Sequence, residues 1–279
     1  MNLNNKIGLG SVQFGIPYGV SNNEGQTSPE EVTKILNYAN KFGIAIIDTA
    51  SAYGNAEEIL GENDLNNFKI ISKFIPREGS NSISFQLNES LSNLKIDSLY
   101  GYLAHRPLNL INNQNQWEEL LVLKQEKKIN KIGFSLNEPR EFELLFQKGM
   151  IPDLIQVPYN YFDNRFKDIL LDLKANGCEI HTRSAFLQGL FFTNVKKLPS
   201  FFDEVKEEIS ELQINFDNSL SGVLLKYVLS LNFVDVVIMG VENEKQLKNN
   251  LITMNSAPLL ETKNFNFSES VISPINWPK

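Results

Sequence analysis

The sequence predicts an α/β fold in which short buried strands alternate with helices along the chain. Three observations favour this class: short apolar runs recur, segments of helical periodicity separate most of them, and polar residues follow the same end of successive runs. Strands joined through crossover helices are parallel, and eight such units close into a (β/α)8, or TIM, barrel. An open, doubly wound sheet is the alternative, although no dinucleotide-type glycine fingerprint follows the first strand.

The first half of the chain contains four predicted strands and the clearest helix start. Serine caps helices and proline suits their first turn, so Ser28 and Pro29 mark the beginning of a helix. Glu31 can close a capping box, and the helical spacing of apolar residues ends before Gly43. The strands are predicted at residues 7–11, 44–48, 68–74 and 98–104, and two further helices at 56–60 and 83–94.

The second half repeats this rhythm, except that two helical stretches precede its last strand. We find no linker, internal repeat or low-complexity tract, so we expect one domain over residues 1–279, with 252–279 as a C-terminal tail. The remaining strands are predicted at 131–135, 153–157, 179–184 and 235–239, and the helices at 117–126, 139–146, 166–175, 202–212, 219–229 and 244–251.

The composition argues against several classes of protein. With 279 residues, 42% of them hydrophobic, the chain can bury a large core, and its charge of −7 argues against nucleic acid and anionic membranes as partners. Cys178 is the single cysteine, so no intrachain disulfide forms, which fits a reducing compartment. No apolar run approaches the roughly 18 residues of a membrane span, and residues 1–6 lack a signal peptide's apolar stretch. We expect a cytoplasmic protein, most simply a monomer.

Four polar residues mark the ends of three successive strands. Asp48 ends the second strand, and Tyr53 follows in the loop after it. Lys73 ends the third strand, and His105 directly follows the fourth. Catalytic residues of such barrels lie at the carboxyl ends of the strands, so we expect these four side chains in one pocket.

Together these side chains suit the protonation of a carbonyl oxygen. A phenol is a poor acid at neutral pH, but an ammonium beside it favours the phenolate, and Lys73 can supply that charge next to Tyr53. A buried lysine needs a carboxylate, which Asp48 provides. His105 can donate a hydrogen bond that orients the carbonyl. The set contains no electron source, so a reduction would need hydride from a cofactor.

Each of these residues also has a simpler explanation when it is taken alone. An aspartate after a strand is commonly a turn or cap, and His105 could satisfy loop backbone. His181 lies inside the seventh predicted strand, and we interpret it as structural. Two histidines and one cysteine are too few for a zinc site, so no metal is predicted, and no Gly-x-Ser-x-Gly motif of a serine hydrolase occurs.

Three motifs resemble those of the aldo-keto reductase family, and the likeness covers nearly the whole chain. Ile47-Asp-Thr-Ala-Ser-Ala-Tyr-Gly54, followed by Glu57, is similar to the strand-two motif of the family. Ile71-Ser-Lys73 and Tyr102-Leu-Ala-His105 resemble its strand-three and strand-four motifs. The resemblance implies a TIM-barrel, NAD(P)H-dependent oxidoreductase that reduces an aldehyde, ketone or sugar carbonyl. It also implies that Tyr53 is the proton donor.

The resemblance implies a set of cofactor contacts as well. Ser135 and Gln156 would hold the nicotinamide amide, although Leu136 stands where many members have asparagine. Arg183 falls where an aromatic residue often stacks on the nicotinamide, and its planar guanidinium could stack instead. The complete implied set is Ser135, Gln156, Arg183, Ser184, Phe186, Gln188, Leu190, Gly240, Glu242, Gln246 and Asn250.

The adenosine end of the implied cofactor site departs from the family pattern. Gly240 and Gln246 stand where lysine or arginine often contacts the 2′-phosphate, and Glu242 adds a negative charge. Lys245 or Lys248 could compensate. NADP(H) is the cofactor that the resemblance implies, but we expect a weaker preference for it than usual, with NAD(H) as the alternative.

Two other functions stay open, as does the identity of the substrate. The chain could be a cofactor-binding regulatory subunit, or an isomerase or dehydratase that uses bound cofactor transiently. Specificity is expected in the segments 106–115, 191–200 and 264–279. Arg106 and Arg165 are candidate anchors for an anionic substrate. Three aromatic residues of the tail could line the pocket or pack the tail onto the barrel: Phe265, Phe267 and Trp277.

Overall fold

A computed structural model of the chain describes residues 3–20, 22, 24–76 and 82–278, and its centre is a closed barrel of eight parallel strands. Each strand pairs with its neighbours in sequence, and the first strand pairs with the last. The barrel confirms the predicted fold and excludes the open sheet. The strands, numbered β1 to β8, are Ile7–Gly10, Ile46–Asp48, Lys69–Phe74, Leu99–Ala104, Ile129–Ser135, Leu154–Pro158, Glu179–Arg183 and Val236–Gly240.

Helices surround the barrel, and the predicted ones are all present. Two short helices in the first loop and in the tail were not predicted. The α-helices, numbered α1 to α11, are Val12–Gly15, Pro29–Phe42, Ala56–Gly61, Ile83–Leu94, Gln114–Gln125, Pro139–Phe146, Lys167–Ala175, Asp203–Phe216, Leu220–Leu229, Glu244–Ser256 and Glu269–Ile272. Additional 3₁₀ turns lie at Leu3–Lys6, Pro107–Asn112, Leu187–Phe192, Val195–Lys197, Ser200–Phe202, Asp217–Ser219 and Pro274–Asn276.

The start of α2 follows its sequence signals with one exception. The Ser28 side chain accepts a hydrogen bond from the backbone N–H of Glu31, and Pro29 begins the helix. Gly43 ends it in the left-handed region, at φ 83°, where a side chain would be strained. The predicted capping box is wrong, because the Glu31 carboxylate instead accepts the N–H of Glu244 at 2.8 Å and pairs with Lys34. Glu31 therefore connects α2 to the start of α10.

A compact apolar plug fills the interior of the barrel. A Cβ atom at Gly8 would lie only 2.6 Å from Cδ1 of Ile238, so β1 contributes backbone rather than a side chain to this layer. The plug closes the barrel beneath the carboxyl ends of the strands. Polar residues lie above it, at those strand ends. Its buried members are Ile46, Ile71, Leu103, Leu154, Val236 and Ile238.

A polar cluster occupies the opposite end of the barrel, where β7 begins. Glu179 accepts hydrogen bonds from Tyr100 and Lys131, and its carboxylate lies 2.6 Å from Nε2 of His181. Burial opposes charge on Glu179, but these partners outweigh it and lower the pKa of Glu179 to about 2. His181 is fully buried in this cluster, in agreement with its structural interpretation.

The aromatic residues of the tail pack the tail onto the barrel. Phe265 and Phe267 contact the ring of Phe162, with centroids 5.1 and 5.0 Å apart. Trp277 packs edge-on against Phe202 and donates its indole N–H to the carbonyl of Val271. These rings therefore belong to the packing, and the tail borders the cleft through residues 272–275 instead.

In the described part of the chain, every helix is too short or too polar to cross a lipid bilayer. Within it, too, no group of three or more histidine, cysteine, aspartate or glutamate residues is placed to hold a metal ion.

Candidate active site

The four residues predicted at the strand ends lie together at the carboxyl end of the barrel. Lys73 Nζ lies 2.6 Å from Asp48 Oδ2 and donates to the Thr49 carbonyl at 2.9 Å. The same Nζ lies 3.4 Å from the phenol oxygen of Tyr53. The ring of Tyr53 meets the His105 imidazole edge to face, with centroids 5.6 Å apart.

Lys73 keeps its charge although it is fully buried. Burial disfavours the ammonium, but Asp48 and the phenol of Tyr53 outweigh this and hold the pKa of Lys73 above its ordinary value. An ammonium held in this way can stabilise negative charge on the Tyr53 oxygen. The arrangement allows Tyr53 to give up a proton beside a fixed positive charge.

His105 carries no charge at neutral pH. Burial, followed by the charges of Lys73, Arg183 and Arg106, lowers the pKa of His105 to about 3. A neutral imidazole has one N–H donor and one acceptor nitrogen, so it can donate a hydrogen bond to a carbonyl oxygen. His105 is therefore suited to orienting a carbonyl rather than to protonating it.

Gln156 has a role in this site that the sequence did not suggest. Its Nε2 donates to Asp48 Oδ1 at 2.7 Å, so the carboxylate is held by Lys73 on one oxygen and Gln156 on the other. Gln156 is fully buried beneath the cleft, and its Oε1 has no hydrogen-bond partner among the described residues. Only this oxygen remains for the predicted nicotinamide contact.

A cleft of about 1320 Å³ opens above these residues, with Asp48, Tyr53 and His105 in its wall. Protein pockets for small ligands commonly measure about 300–1,000 Å³, so this cleft has room for more than a small substrate. Ser135, at the end of β5, lies in the same wall. The cleft extends from the tetrad to the end of β8 and the start of α10.

Arg183 lies in the cleft wall and holds the ends of β5 and β7 together. Its Nη2 donates to the Leu136 carbonyl at 2.9 Å and to Asn137 Oδ1 at 2.7 Å. Its Nη1 lies 3.4 Å from Ser184 Oγ. The guanidinium is thus fixed by neutral acceptors, in the place where the sequence predicts a group stacking on the nicotinamide.

The loop after β7 has a strained backbone and lines the cleft. Ser184, Leu187 and Gln188 all have positive φ, at 65°, 46° and 52°. Gln188 reaches the loop after β1, because its Nε2 donates to the Tyr18 phenol and its carbonyl accepts the N–H of Val20. These contacts join two loops that both line the cleft.

The other predicted residues of this loop differ in position. Ser184, Phe186 and Gln188 border the cleft. Leu190, in contrast, is fully buried in the apolar core and does not line the cleft. Its side chain is therefore not placed to contact a cofactor, and a contact through the backbone N–H, the other mode that the resemblance implies for this loop, stays a prediction.

The far end of the cleft is acidic and contains four predicted residues, Gly240, Glu242, Gln246 and Asn250. Gln246 fixes Glu242, since its Oε1 accepts the Glu242 N–H and its Nε2 donates to the carboxylate at 3.2 Å. Burial raises the pKa of Glu242, Gln246 opposes this, and nearby Glu24 adds to it.

The two lysines proposed to compensate for this acidity differ in whether they line the cleft. Lys245 lines the cleft. Lys248 pairs with Glu244 at 2.8 Å and lies over the ring of Tyr38, so it is directed to the surface between α2 and α10. Lys248 therefore does not line the cleft in this structure.

The cleft wall fits a dinucleotide in chemical terms. Ser11 Oγ and Gln13 Oε1 line it and, like Gln156 Oε1, are buried without a hydrogen-bond partner among the described residues. Buried polar atoms are normally hydrogen-bonded, so the Ser11 and Gln13 oxygens are available to a ligand of the cleft, whereas Gln156 is not among the lining residues. A Cβ atom at Gly240 would lie 2.8 Å from the amide end of the flexible Gln13 side chain, so Gly240 and Gln13 pack closely at this end of the cleft.

Several of these residues were missed by sequence reasoning. Gln13 and Tyr18 belong to the loop after β1, whose sequence has no clear periodicity, and Asn137 follows the predicted end of β5 by two residues. Asn137 lies one position after Leu136, which stands where many members of the family have asparagine. Its observed partner is Arg183, a contact that no local sequence signal indicated.

Known proteins resemble this chain in sequence and in fold. Residues 6–270 match the model of the aldo/keto reductase family. A curated aldo-keto reductase from Mycobacterium sp. (strain KMS) is 26% identical over 142 residues, 47% of this chain and 51% of the relative. The chain therefore spans about half the length of that curated relative.

Solved structures show the same fold at low sequence identity. The holo form of an aldo-keto reductase from Bacillus halodurans is 20% identical, with a TM-score of 0.72 over 94% of both chains. An aldo-keto reductase from Klebsiella pneumoniae, solved in complex with NADPH, is 19% identical, with a TM-score of 0.67 over 92% of this chain and 87% of the other.

Proposed function

This chain belongs to the aldo/keto reductase family, and from that premise we propose that it reduces an aldehyde, ketone or sugar carbonyl to the alcohol with NAD(P)H. The observation that carries the proposal is the contact of the buried Lys73 ammonium with the phenol oxygen of Tyr53, 3.4 Å away. A protein that only bound cofactor would have no use for a phenol activated in this way.

The residues of the site divide the work of the reaction. Bound reduced nicotinamide supplies the hydride that the protein itself lacks. Tyr53 donates the proton to the carbonyl oxygen, and Lys73 stabilises the phenolate left behind. Asp48 holds Lys73 in its charged form. His105, which is neutral, orients the carbonyl through a hydrogen bond.

The cofactor would lie along the cleft from the tetrad to β8. Ser135 and the free Oε1 of Gln156 would receive the nicotinamide amide, and the loop after β7 would cover the phosphates. At the adenosine end, the Glu242 carboxylate can accept hydrogen bonds from a ribose diol but repels a phosphate. We therefore expect NADH to be used at least as well as NADPH.

The experiment that tests this function follows the absorbance of reduced nicotinamide with both coenzymes against a panel of aldehydes, ketones and sugars. Stoichiometric consumption of NADH or NADPH supports reduction and excludes an isomerase that uses cofactor transiently. Cofactor binding without turnover on any carbonyl would contradict the proposal and indicate a binding subunit. A preference for NADPH of more than a few-fold would contradict the expected use of NADH at least as well as NADPH. A preference above about 100-fold, or about 2.7 kcal/mol, would also contradict the weakened NADPH preference expected from the sequence.

A further inference from the structure

Two arginines of the cleft lack an acidic partner among the described residues. Arg106 directly follows His105 at the end of β4, is exposed and lines the cleft. Arg183 faces the cleft from the end of β7, and its hydrogen bonds go to two side-chain oxygens and one carbonyl, all neutral. An arginine has five N–H donors, so Arg183 keeps donors for a ligand.

The third arginine of the cleft shows the contrast. Arg165 holds Asp163 with two parallel hydrogen bonds, Nε to Oδ1 at 2.9 Å and Nη2 to Oδ2 at 3.1 Å. Glu269 approaches the same guanidinium at 3.7 Å. Its charge is thus balanced within the protein, so the sequence-based idea that Arg165 anchors a substrate is not supported.

Glu141, an acidic residue in the same wall, does not neutralise the charges of Arg106 and Arg183. Glu141 uses its Oε2 to accept the backbone N–H groups of Asn137 and Glu138, at 2.6 and 3.1 Å. This carboxylate caps α6 and forms no ion pair with Arg183 among the described contacts. Burial and the charge of Lys73 lower the pKa of His105. The positive charges of Arg183 and Arg106 lower it further, so both arginines act electrostatically at the site.

We propose that the carbonyl substrate carries an oxyanion group, a carboxylate or a phosphate, which Arg106 and Arg183 bind while the carbonyl lies against Tyr53 and His105. Guanidinium groups match both oxyanions in geometry, and charge-assisted hydrogen bonds are among the strongest polar contacts. This inference rests on the proposed carbonyl reduction at the same site. The diphosphate of the cofactor is the other source of the same chemistry, so the experiment has to separate the two.

The test uses pairs of substrates that differ in charge but share the reacting aldehyde. 4-Carboxybenzaldehyde is compared with its methyl ester, and glyceraldehyde phosphate with glyceraldehyde. We expect the acid of each pair to be preferred by about tenfold or more in kcat/KM, and Arg106→Gln and Arg183→Gln each to remove much of that preference. Arg140→Gln removes an exposed arginine of α6 outside the cleft and should leave the preference unchanged.

Equilibrium binding separates the substrate from the cofactor. The Kd of NADH and of NADPH is measured for each variant by quenching of protein fluorescence. If both variants bind the coenzymes like the parent but lose the acid preference, the arginines serve the substrate. If they weaken coenzyme binding and slow acid and ester equally, the arginines serve the cofactor diphosphate and the proposal is overturned.

A binding measurement distinguishes failure of the proposed anion site from failure of the proposed carbonyl reduction. Calorimetric titration of the Tyr53→Phe protein with 4-carboxybenzaldehyde and with the ester reports the anion site without turnover. Tighter binding of the acid that depends on Arg106 supports the anion site even if no carbonyl is reduced by the parent. Equal binding of acid and ester, together with equal reduction by the parent, overturns the anion site and leaves the carbonyl reductase intact.

Discussion

Lys73 Nζ lies 3.4 Å from the phenol oxygen of Tyr53, and it also lies 5.0 Å from the centre of the tyrosine ring. The ammonium therefore lies over the tyrosine ring and within reach of the phenol oxygen, where it can stabilise a phenolate. The same nitrogen is anchored to Asp48 and to the carbonyl of Thr49, which fixes its direction. The Lys73 ammonium thus connects its buried ion pair with Asp48 to Tyr53, which lines the cleft.

Tyr53→Phe should abolish most turnover. The substitution removes the proposed proton donor and keeps the ring that contacts His105, so we expect kcat to fall by about 10²–10⁴-fold. Cofactor affinity should stay within a few-fold of the parent value, since the ring is retained. Steady-state kinetics and fluorescence titration with NADH check the two parts.

A second tyrosine of the cleft gives the matched control. Tyr18 lines the same cleft but hydrogen-bonds to Gln188 rather than to a lysine. Tyr18→Phe should therefore reduce kcat much less than Tyr53→Phe. Equal losses in the two variants would show that the loss does not depend on the contact with Lys73.

Lys73→Met should destabilise the protein as well as inactivate it. The substitution leaves Asp48 buried and without its cation, a situation that commonly costs about 3–5 kcal/mol. Urea unfolding should show this loss. Adding Asp48→Asn in the same chain should restore much of the stability but none of the turnover, because it removes the uncompensated charge and not the need for an ammonium. An unchanged unfolding midpoint in Lys73→Met would show that the ion pair contributes nothing to folding.

The fold could be predicted wherever its signals are local. The predicted bounds of α6 are confirmed, and in the structure Pro139 begins the helix while Glu141 closes a capping box with Glu138. The start of β2 was placed two residues early, because Ile44 is buried without pairing in the sheet. An apolar run reports burial, whereas strand bounds depend on pairing with a neighbour distant in sequence.

The site could be predicted only as far as strand ends determine it. The ends of β2, β3 and β4 place Asp48, Lys73 and His105 at one rim, which is why the tetrad was found. Contacts across the rim were not predictable, such as Gln156 with Asp48, 108 residues apart, and Arg183 with Asn137, 46 residues apart. Such contacts depend on the stagger and tilt of the strands and on side-chain rotamers, and neither leaves a local pattern in sequence.

His105 should give the protein a pH-dependent stability with a definite sign. Its pKa is about 3 in the folded state and about 6.5 when unfolded. Between these values the unfolded chain binds a proton that the folded chain does not, so His105 makes stability fall as the pH is lowered from about 6.5 towards 3. His105→Asn should be less sensitive to pH in this window.

Urea unfolding of both proteins from about pH 4 to pH 7 tests this expectation, because carboxyl groups titrate in both proteins and cancel in the difference. Parallel stability curves would contradict a depressed His105 pKa. In the same pH window, a plot of kcat/KM against pH for the parent should show no inflection near pH 6.5 that is due to His105. An inflection there that disappears in His105→Asn would contradict the depressed pKa.

Glu242→Arg should shift the coenzyme preference towards NADPH. In the parent, Glu242 is held by Gln246 in the cleft, and its carboxylate opposes a 2′-phosphate. Arginine at this position would attract the phosphate and lose the acceptor for the ribose diol, so the ratio of kcat/KM for NADPH to that for NADH should rise by about tenfold or more. Glu244→Gln is the matched control, because Glu244 pairs with Lys248 outside the cleft and should leave the ratio unchanged. A ratio that responds equally to both variants would mean that net charge near α10, and not the contact with the ribose, decides the preference.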